Sequence, residues 1–345
     1  MQNPKHILVI RLSAMGDVAI SVPVLRAFVT QYPGVKLTIL TRGFFAPFFE
    51  DIPNVSVFNA DLKGNHKGVL GLYKLSKELK VLGVTQVADL HNVLRSNILK
   101  VFFFGKTFVQ INKGRAEKKA LVSGSEFKQL KTSHERYADV FRALGYDLTL
   151  NTPKFPSAQA LPTTLHEQIK LNTKAFVGVA PFAQYDSKMY PLKQMQDVIS
   201  ALSKDYNVLL FGGGEKEKAL LDDLAKDEAN VLNCVGKFTF KEELAIISNL
   251  DVMLSMDSGN GHLAAMYGVK VVTIWGNTHP FAGFVPFSQP ESQQLVPSRS
   301  DYPLIPTSIY GNKTPENYKT AAGTIAPTTV IKTIKGILGM LLLFT

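Results

Sequence analysis

Four short segments gather the residue types that carry out group transfer. Asp17 ends the small-residue run Ser13-Ala14-Met15-Gly16-Asp17, where Gly16 lets backbone approach a ligand. A carboxylate there can take the proton of an attacking hydroxyl, work worth ~10²–10⁴-fold in rate; it can equally cap the helix that opens at Val18. Lys188, in Asp186-Ser187-Lys188-Met189-Tyr190-Pro191, offers an ammonium to a diphosphate leaving group. The competing reading is a solvated lysine, the commonest fate of that residue. Asp257-Ser258-Gly259-Asn260-Gly261 joins turn formers to N-cap residues ahead of His262. The amides of Ser258 to Gly261, at a helix N-terminus, would seat a phosphate. His262 either reaches a phosphate or sugar hydroxyl or packs as a structural histidine. In Gly212-Gly213-Gly214-Glu215-Lys216-Glu217, the glutamates either accept bonds from a ribose or stabilise a helix dipole. Glu217 falls where G-x-G-x-x-G needs its last glycine, which counts against a dinucleotide fingerprint.

Each segment follows a strand. Lys5 to Arg11 reads as a central strand, apolar on both faces as parallel strands are. A helical pattern runs through Val18, Val22, Leu25 and Phe28, and Pro23 predicts a break with a new helix beginning there. Strands follow at Val35 to Leu40, Val55 to Phe58 and Thr85 to Leu90, with helices at Leu70 to Leu79, Asn92 to Val101 and His134 to Leu144. Between the last two, residues 113–131 read as a mobile basic surface loop. Residues 151–173, with Pro153, Pro156 and Pro162, read as an interdomain linker. A second series of strands occupies Ala175 to Ala180, Asn207 to Phe211, Val231 to Val235, Val252 to Met256 and Val269 to Trp275. Residues 284–327 are rich in Pro, Ser and Thr, and Thr328 to Leu342 reads as a closing helix. Strands alternating with helices in both halves predict two doubly wound α/β domains facing one cleft.

At 345 residues, two domains are the better expectation. The net charge of +10 suits an anionic partner. A single cysteine, Cys234, rules out an internal disulfide and a cysteine metal cluster. His6, His66, His91, His134, His166, His262 and His279 show no paired metal spacing, which gives a metal enzyme little support. The opening MQNPKHILVIRL lacks the pattern of a signal peptide. The apolar tail from Ile337 to Phe344 is shorter than the ~20 residues that cross a bilayer. A soluble or peripheral protein is expected.

Together these pieces resemble the lipopolysaccharide heptosyltransferases and their relatives in glycosyltransferase family 9. The resemblance is carried by Arg11-Leu12-Ser13-Ala14-Met15-Gly16-Asp17-Val18, by Asp89-Leu90-His91 with Leu94-Arg95-Ser96, and by Lys188-Met189-Tyr190-Pro191. It is carried above all by Asp257-Ser258-Gly259 with His262-Leu263-Ala264-Ala265, followed by Trp275-Gly276-Asn277-Thr278-His279-Pro280. It implies a GT-B architecture of two Rossmann-like domains around a central cleft. The N-terminal domain (1–160) would bind acceptor and the C-terminal domain (161–327) the nucleotide sugar, and a helix (328–345) would return to the first domain.

The implied reaction is an inverting transfer without metal or cofactor from a nucleotide-diphosphate sugar, usually ADP-heptose, to an anionic lipid-linked saccharide. By the same match Asp17 is the general base. Lys188, Glu217, Asp257, Ser258, Gly259, Asn260, Gly261, His262 and Thr278 meet the donor. Ser13, Met15, Gly16, His91 and Arg95 meet the acceptor, whose phosphates fall to Arg115, Lys118 and Lys119. The expected location is the cytoplasm, at the inner face of the membrane, since polybasic segments gain ~1 kcal/mol per residue near an anionic leaflet. A sugar-nucleotide epimerase of the same fold is the alternative. A non-catalytic nucleic-acid-binding protein ranks below it, because the basic residues are not interleaved with stacking aromatics.

Overall fold

The computed structural model describes residues 5–169 and 174–341, apart from the side chain of His166. The ends of the expected linker (170–173) and of the closing apolar tail (342–345) lie outside the described residues, as do the first four. Two compact units emerge, one of residues 1–113 and 131–155, the other of 114–130 and 156–345. The second unit thus begins after Phe155 rather than after residue 160, and it claims an excursion from the N-terminal half.

The first unit carries β1 (His6–Ile10), α1 (Met15–Gln31), β2 (Lys36–Thr41), β3 (Val55–Asn59), α2 (Gly68–Val81), β4 (Gln86–Asp89), α3 (Leu94–Phe102) and β5 (Thr107–Gln110). Then α4 (Arg115–Ser123) belongs to the second unit, and α5 (Ser133–Ala143) returns to the first. The strands form a parallel sheet of order β3-β2-β1-β4-β5. All five residues of β1 are buried, as a central strand covered on both faces requires. Strand β5 escapes the sequence pattern because Thr107 to Gln110 is an edge strand, exposed or half-buried throughout.

The second unit continues with α6 (Thr163–Gln168), β6 (Phe176–Ala180), α7 (Leu192–Leu202), β7 (Asn207–Leu210), α8 (Gly214–Ala225), β8 (Val231–Asn233), α9 (Phe240–Ser248), β9 (Val252–Met256), α10 (Gly259–Met266), β10 (Lys270–Ile274), β11 (Gln294–Leu295) and α11 (Pro327–Leu341). Its parallel sheet has the order β11-β10-β9-β6-β7-β8. The short β11, two residues long, gives the Pro-rich stretch after residue 284 a foothold on the sheet edge.

Three expectations are corrected. Helix α1 runs unbroken through Pro23. Its residues from Val18 to Leu25 are all buried, and this packing outweighs a proline cost of about 3 kcal/mol. Residues 113–131 are not a loop: Gly114 (φ 61°) and Gly124 (φ 75°) bracket α4. Its one buried side chain, Leu121, packs with Leu130 and Ala282 of the second unit. A single apolar anchor leaves no periodicity to read. The closing helix α11 packs within the second unit. Val330, Ile334, Ile337 and Leu338 of α11 enter the core of the second, with Val198, Leu202 and Leu254.

Candidate active site

In each sheet the strand order reverses at one place, and ligands of open α/β folds bind outside the carboxyl ends of the strands there. In the first sheet that place lies between β1 and β4, where Ile10 is in register with Asp89. Arg11 leaves β1 almost fully buried, at 6% exposure. A buried cation needs an anion and hydrogen-bond acceptors. Arg11 Nη2 reaches Asp17 Oδ2 at 2.5 Å, and Nη1 donates to the Leu90 carbonyl at 2.7 Å. The guanidinium lies 5.7 Å from the centre of the Tyr137 ring. Asp17 stands in the first turn of α1 and receives only a long 3.4 Å bond from the Ala14 amide. Its main partner is therefore Arg11, and its side chain stays 37% exposed.

The loop after β4 is fixed by Asp89, which is fully buried. Asp89 Oδ1 accepts the amides of His91 and Asn92, each at 2.9 Å, while Oδ2 accepts from Gln110 Nε2 at 2.9 Å. This holds the Leu90 carbonyl against Arg11. His91 Nδ1 accepts the Leu12 amide at 3.4 Å. Burial, and then the neighbouring Arg11 charge, hold the His91 imidazole down to about 4. Near neutral pH it presents a neutral ring. Ser13, Met15 and Gly16 are half-buried, and Arg95 is exposed on the first turn of α3.

In the second sheet the reversal lies between β6 and β9, with Ala180 in register with Ser255. The loop after β6 carries Lys188 and the loop after β9 carries Asp257. Lys188 Nζ lies 2.8 Å from Asp257 Oδ2, and Thr278 Oγ1 donates to the same oxygen at 2.9 Å. The two charged side chains are 13% and 9% exposed, so the solvated-lysine reading does not hold.

Two glycines let the Lys188 loop settle here. A Cβ on Gly276 would meet the Ser187 carbonyl at 2.1 Å, and one on Gly311 would meet the Lys188 stem at 2.7 Å. The Asn277 amide donates to that same Ser187 carbonyl at 2.9 Å. Ser258 begins α10 without a side-chain cap, and its Oγ is buried with no hydrogen-bond partner among the described residues. The first-turn amides of α10, with Gly259 and Asn260 half-buried, are thus left to another acceptor. His262 is buried in the next turn.

Other expected donor residues have local duties. Gly261 is small because a Cβ there would meet Ser255 Oγ at 2.6 Å. Glu217 Oε2 accepts the Gly213 amide at 2.7 Å, which satisfies an orphan amide at the start of α8. Arg115, Lys118 and Lys119 sit on α4, which belongs to the second unit. Sequence reasoning passed over Arg11 as a site residue. The signal was available, since a cation ending an apolar central strand demands a nearby carboxylate. It also left residues 284–327 without a role, although Thr307 donates its amide to the Asn277 carbonyl at 3.0 Å and Ser187 Oγ donates to the Gly311 carbonyl at 2.5 Å. No spacing rule connects residues so far apart in the chain.

The chain is similar to known proteins along most of its length. The chain is 24% identical over 290 residues to the lipopolysaccharide core heptosyltransferase OpsX of Haemophilus influenzae, covering 81% of each chain. The solved glycosyl transferase family 9 protein of Veillonella parvula superposes with a TM-score of 0.76 at 19% identity over 98% of each chain. E. coli heptosyltransferase WaaC, solved with ADP-2-deoxy-2-fluoro heptose, superposes with a TM-score of 0.64 at 18% identity, over 96% of this chain and 99% of that one. These likenesses show the GT-B fold. The family model described as glycosyltransferase family 9 (heptosyltransferase) matches residues 72–303, which include Lys188, Asp257 and Thr278. With that match spanning most of the chain, the protein belongs to glycosyltransferase family 9, the heptosyltransferases, and is a glycosyltransferase.

Proposed function

We propose that this enzyme transfers heptose from ADP-heptose to a hydroxyl of a lipopolysaccharide-core saccharide, with inversion at the anomeric carbon. The observation that carries the reading is the buried Lys188–Asp257–Thr278 cluster, at the reversal of the second sheet with the uncapped start of α10. An ammonium held in a dry site, together with first-turn amides, suits the charge that grows on a departing diphosphate. The likeness to a lipopolysaccharide core heptosyltransferase of Haemophilus, and to the E. coli heptosyltransferase solved with an ADP-heptose analogue, supports the choice of sugar, nucleotide and acceptor.

In this reaction the acceptor oxygen attacks the anomeric carbon as the bond to the β-phosphate oxygen breaks. The acceptor proton passes to Asp17, whose carboxylate is turned by Arg11, and ADP leaves with its charge shared by Lys188 and the α10 amides. Asp257, Ser258 and His262 line the donor side, with Glu217 near the nucleoside, while neutral His91 and Arg95 face the acceptor. Among the described residues no helix is long and apolar enough to cross a membrane. We place the enzyme peripherally at the inner face of the cytoplasmic membrane, drawn there by its basic residues.

The test is a thermal-shift panel of ADP-, UDP-, GDP- and CDP-linked sugars, followed by turnover with a core acceptor. A ligand that binds only the folded state raises the midpoint, so ADP-heptose should stand out. With acceptor, ADP should appear with an anomerically inverted product. A rise confined to another nucleotide would overturn the donor assignment. Isomerised sugar nucleotide from donor incubated alone would point to the epimerase.

A further inference from the structure

Helices α2 and α3 press one stripe each onto the same face of the first sheet, yet their outer stripes also carry apolar side chains. Leu72, Leu75 and Leu79 of α2, with Leu99 of α3 and Phe103 just past it, share a core with Leu8 and Ile10 of β1. Leu70, Tyr73, Lys77 and Val81 recur at spacings of three and four, which sets them on the opposite side of α2. Leu94 and Val101, seven apart, stand likewise on the side of α3 away from Leu99. Phe104 follows the end of α3. Leu70, Val81 and Phe104 are 84%, 86% and 95% exposed, and Leu94 and Val101 are exposed with them. The Tyr73 and Phe102 rings, 5.4 Å apart at their centres, join the two helices into one surface. A surface helix ordinarily turns polar side chains to water, and an exposed apolar patch of this kind marks an interaction surface.

The charges around this face are of one sign. Lys74, Lys77, Lys80 and Lys100 are exposed on the two helices, and Lys77 Nζ lies 4.6 Å from the centre of the Tyr73 ring. Glu78 is the only carboxylate in either helix, and it turns to His66 at 3.1 Å. A second copy docked through the same face would set lysine against lysine, since a two-fold contact matches a patch with itself. An anionic bilayer surface satisfies both halves of the pattern. Its acyl boundary takes in the apolar side chains. Its headgroups meet the lysines, whose stems lie along apolar surface while the ammonium stays in water.

We propose that the outer face of α2 and α3 docks on an anionic lipid bilayer. Leu70, Val81 and Phe104 enter the interface, and the lysines meet headgroup phosphates. The inference rests on the peripheral placement proposed for the enzyme, and it adds the face that makes the contact. Charge alone would set that contact on the basic helix α4. However, the apolar anchor of α4, Leu121, is buried, and the helix has no exposed large apolar side chain to insert.

The full chain is mixed with vesicles of phosphatidylcholine, alone or with phosphatidylglycerol added, and the bound fraction is read by flotation. Wild type should bind the anionic vesicles, more weakly as salt rises, and the neutral ones poorly. Leu70→Ser/Phe104→Ser should lower the partition into anionic vesicles by about tenfold or more, through lost apolar burial. Lys74→Glu/Lys77→Glu should lower it by a margin that shrinks as salt is raised. All four side chains face solvent, so both variants should keep the thermal midpoint of wild type. A third variant, Phe104→Cys carrying an environment-sensitive dye, reads the contact directly, because Cys234 is buried and stays unlabelled. Its emission should shift to the blue with anionic vesicles. Vesicle binding that neither double variant reduces, with no shift from the dye, overturns the proposal and leaves the peripheral placement standing. Absence of vesicle binding by wild type overturns both. Self-association that Leu70→Ser/Phe104→Ser abolishes, without vesicle binding, overturns the proposal in favour of a second copy. Turnover of a soluble, deacylated core oligosaccharide should not change in either double variant, and a fall would overturn the proposal by assigning this face to the acceptor. No turnover by any of these proteins overturns the transferase reading alone, because flotation needs no turnover.

Discussion

The Arg11 guanidinium grips Asp17 at 2.5 Å with one nitrogen and the Leu90 carbonyl at 2.7 Å with another. The carboxylate is thereby tied to two loops that leave neighbouring strands, which fixes its direction while leaving it over a third exposed. A carboxylate held in this way would lose little freedom if it served as the proposed base.

Asp17→Asn should lower kcat by ~10²–10⁴-fold while leaving ADP affinity intact. Arg11→Met should lower kcat in the same direction. In the Asp17→Asn background it should add little, because residues acting as a unit are not additive. Steady-state kinetics on the four proteins closes the cycle. Full turnover by Asp17→Asn removes it as the base.

Lys188→Met strands the buried Asp257 carboxylate. Breaking such a pair costs about 3–5 kcal/mol, so both the thermal midpoint and the affinity for ADP should fall. Gly276→Ala tests the same device without touching a charge, because the new Cβ collides with the Ser187 carbonyl. Overpacking of this kind costs about 1–3 kcal/mol, and donor KM should rise as the Lys188 loop is pushed away. An unchanged donor KM would show that the close approach at Gly276 is dispensable.

Stability should fall on acidification. His91 and His279 are each held down to about 4, by burial first and then by Arg11 and Arg299 respectively. In the unfolded chain each titrates near its ordinary value of about 6.5. The unfolded state therefore binds more protons between these values, and stability is lost as pH drops from about 6.5 towards 4. Replacing His279 with Gln should flatten that part of a midpoint-versus-pH curve. Glu243 has the opposite sign: burial pushes its carboxyl up to about 7. Its folded state resists ionisation, so stability is lost as pH rises through 7. Glu243→Gln should raise the midpoint more at pH 8 than at pH 5, and a uniform effect would refute the assignment.

Ile334→Ala should destabilise the second unit by about 2–5 kcal/mol, as expected for a truncated core side chain. Denaturant unfolding followed by site-specific probes in each unit would show which transition moves. If only the first unit responds, α11 packs elsewhere.

The sequence by itself determined the alternation of strand and helix, since buried parallel strands must be apolar on both faces and His6 to Ile10 or Val252 to Met256 can be little else. It also determined the chemical groups, because Asp17, Lys188 and Asp257 each stand just past such a strand. Tertiary structure decided what each group touches. No local pattern announces that Lys188 meets Asp257 and Thr278, or that Gly276 and Gly311 make room for it, since these contacts join segments far apart in the chain. Tertiary packing also overruled local rules in two places. Burial on every side carried α1 through Pro23, and one leucine, Leu121, drew a basic stretch of the N-terminal half into the other unit. Periodicity reports the faces a segment buries, whereas the partner that buries them is chosen only when the whole chain has condensed.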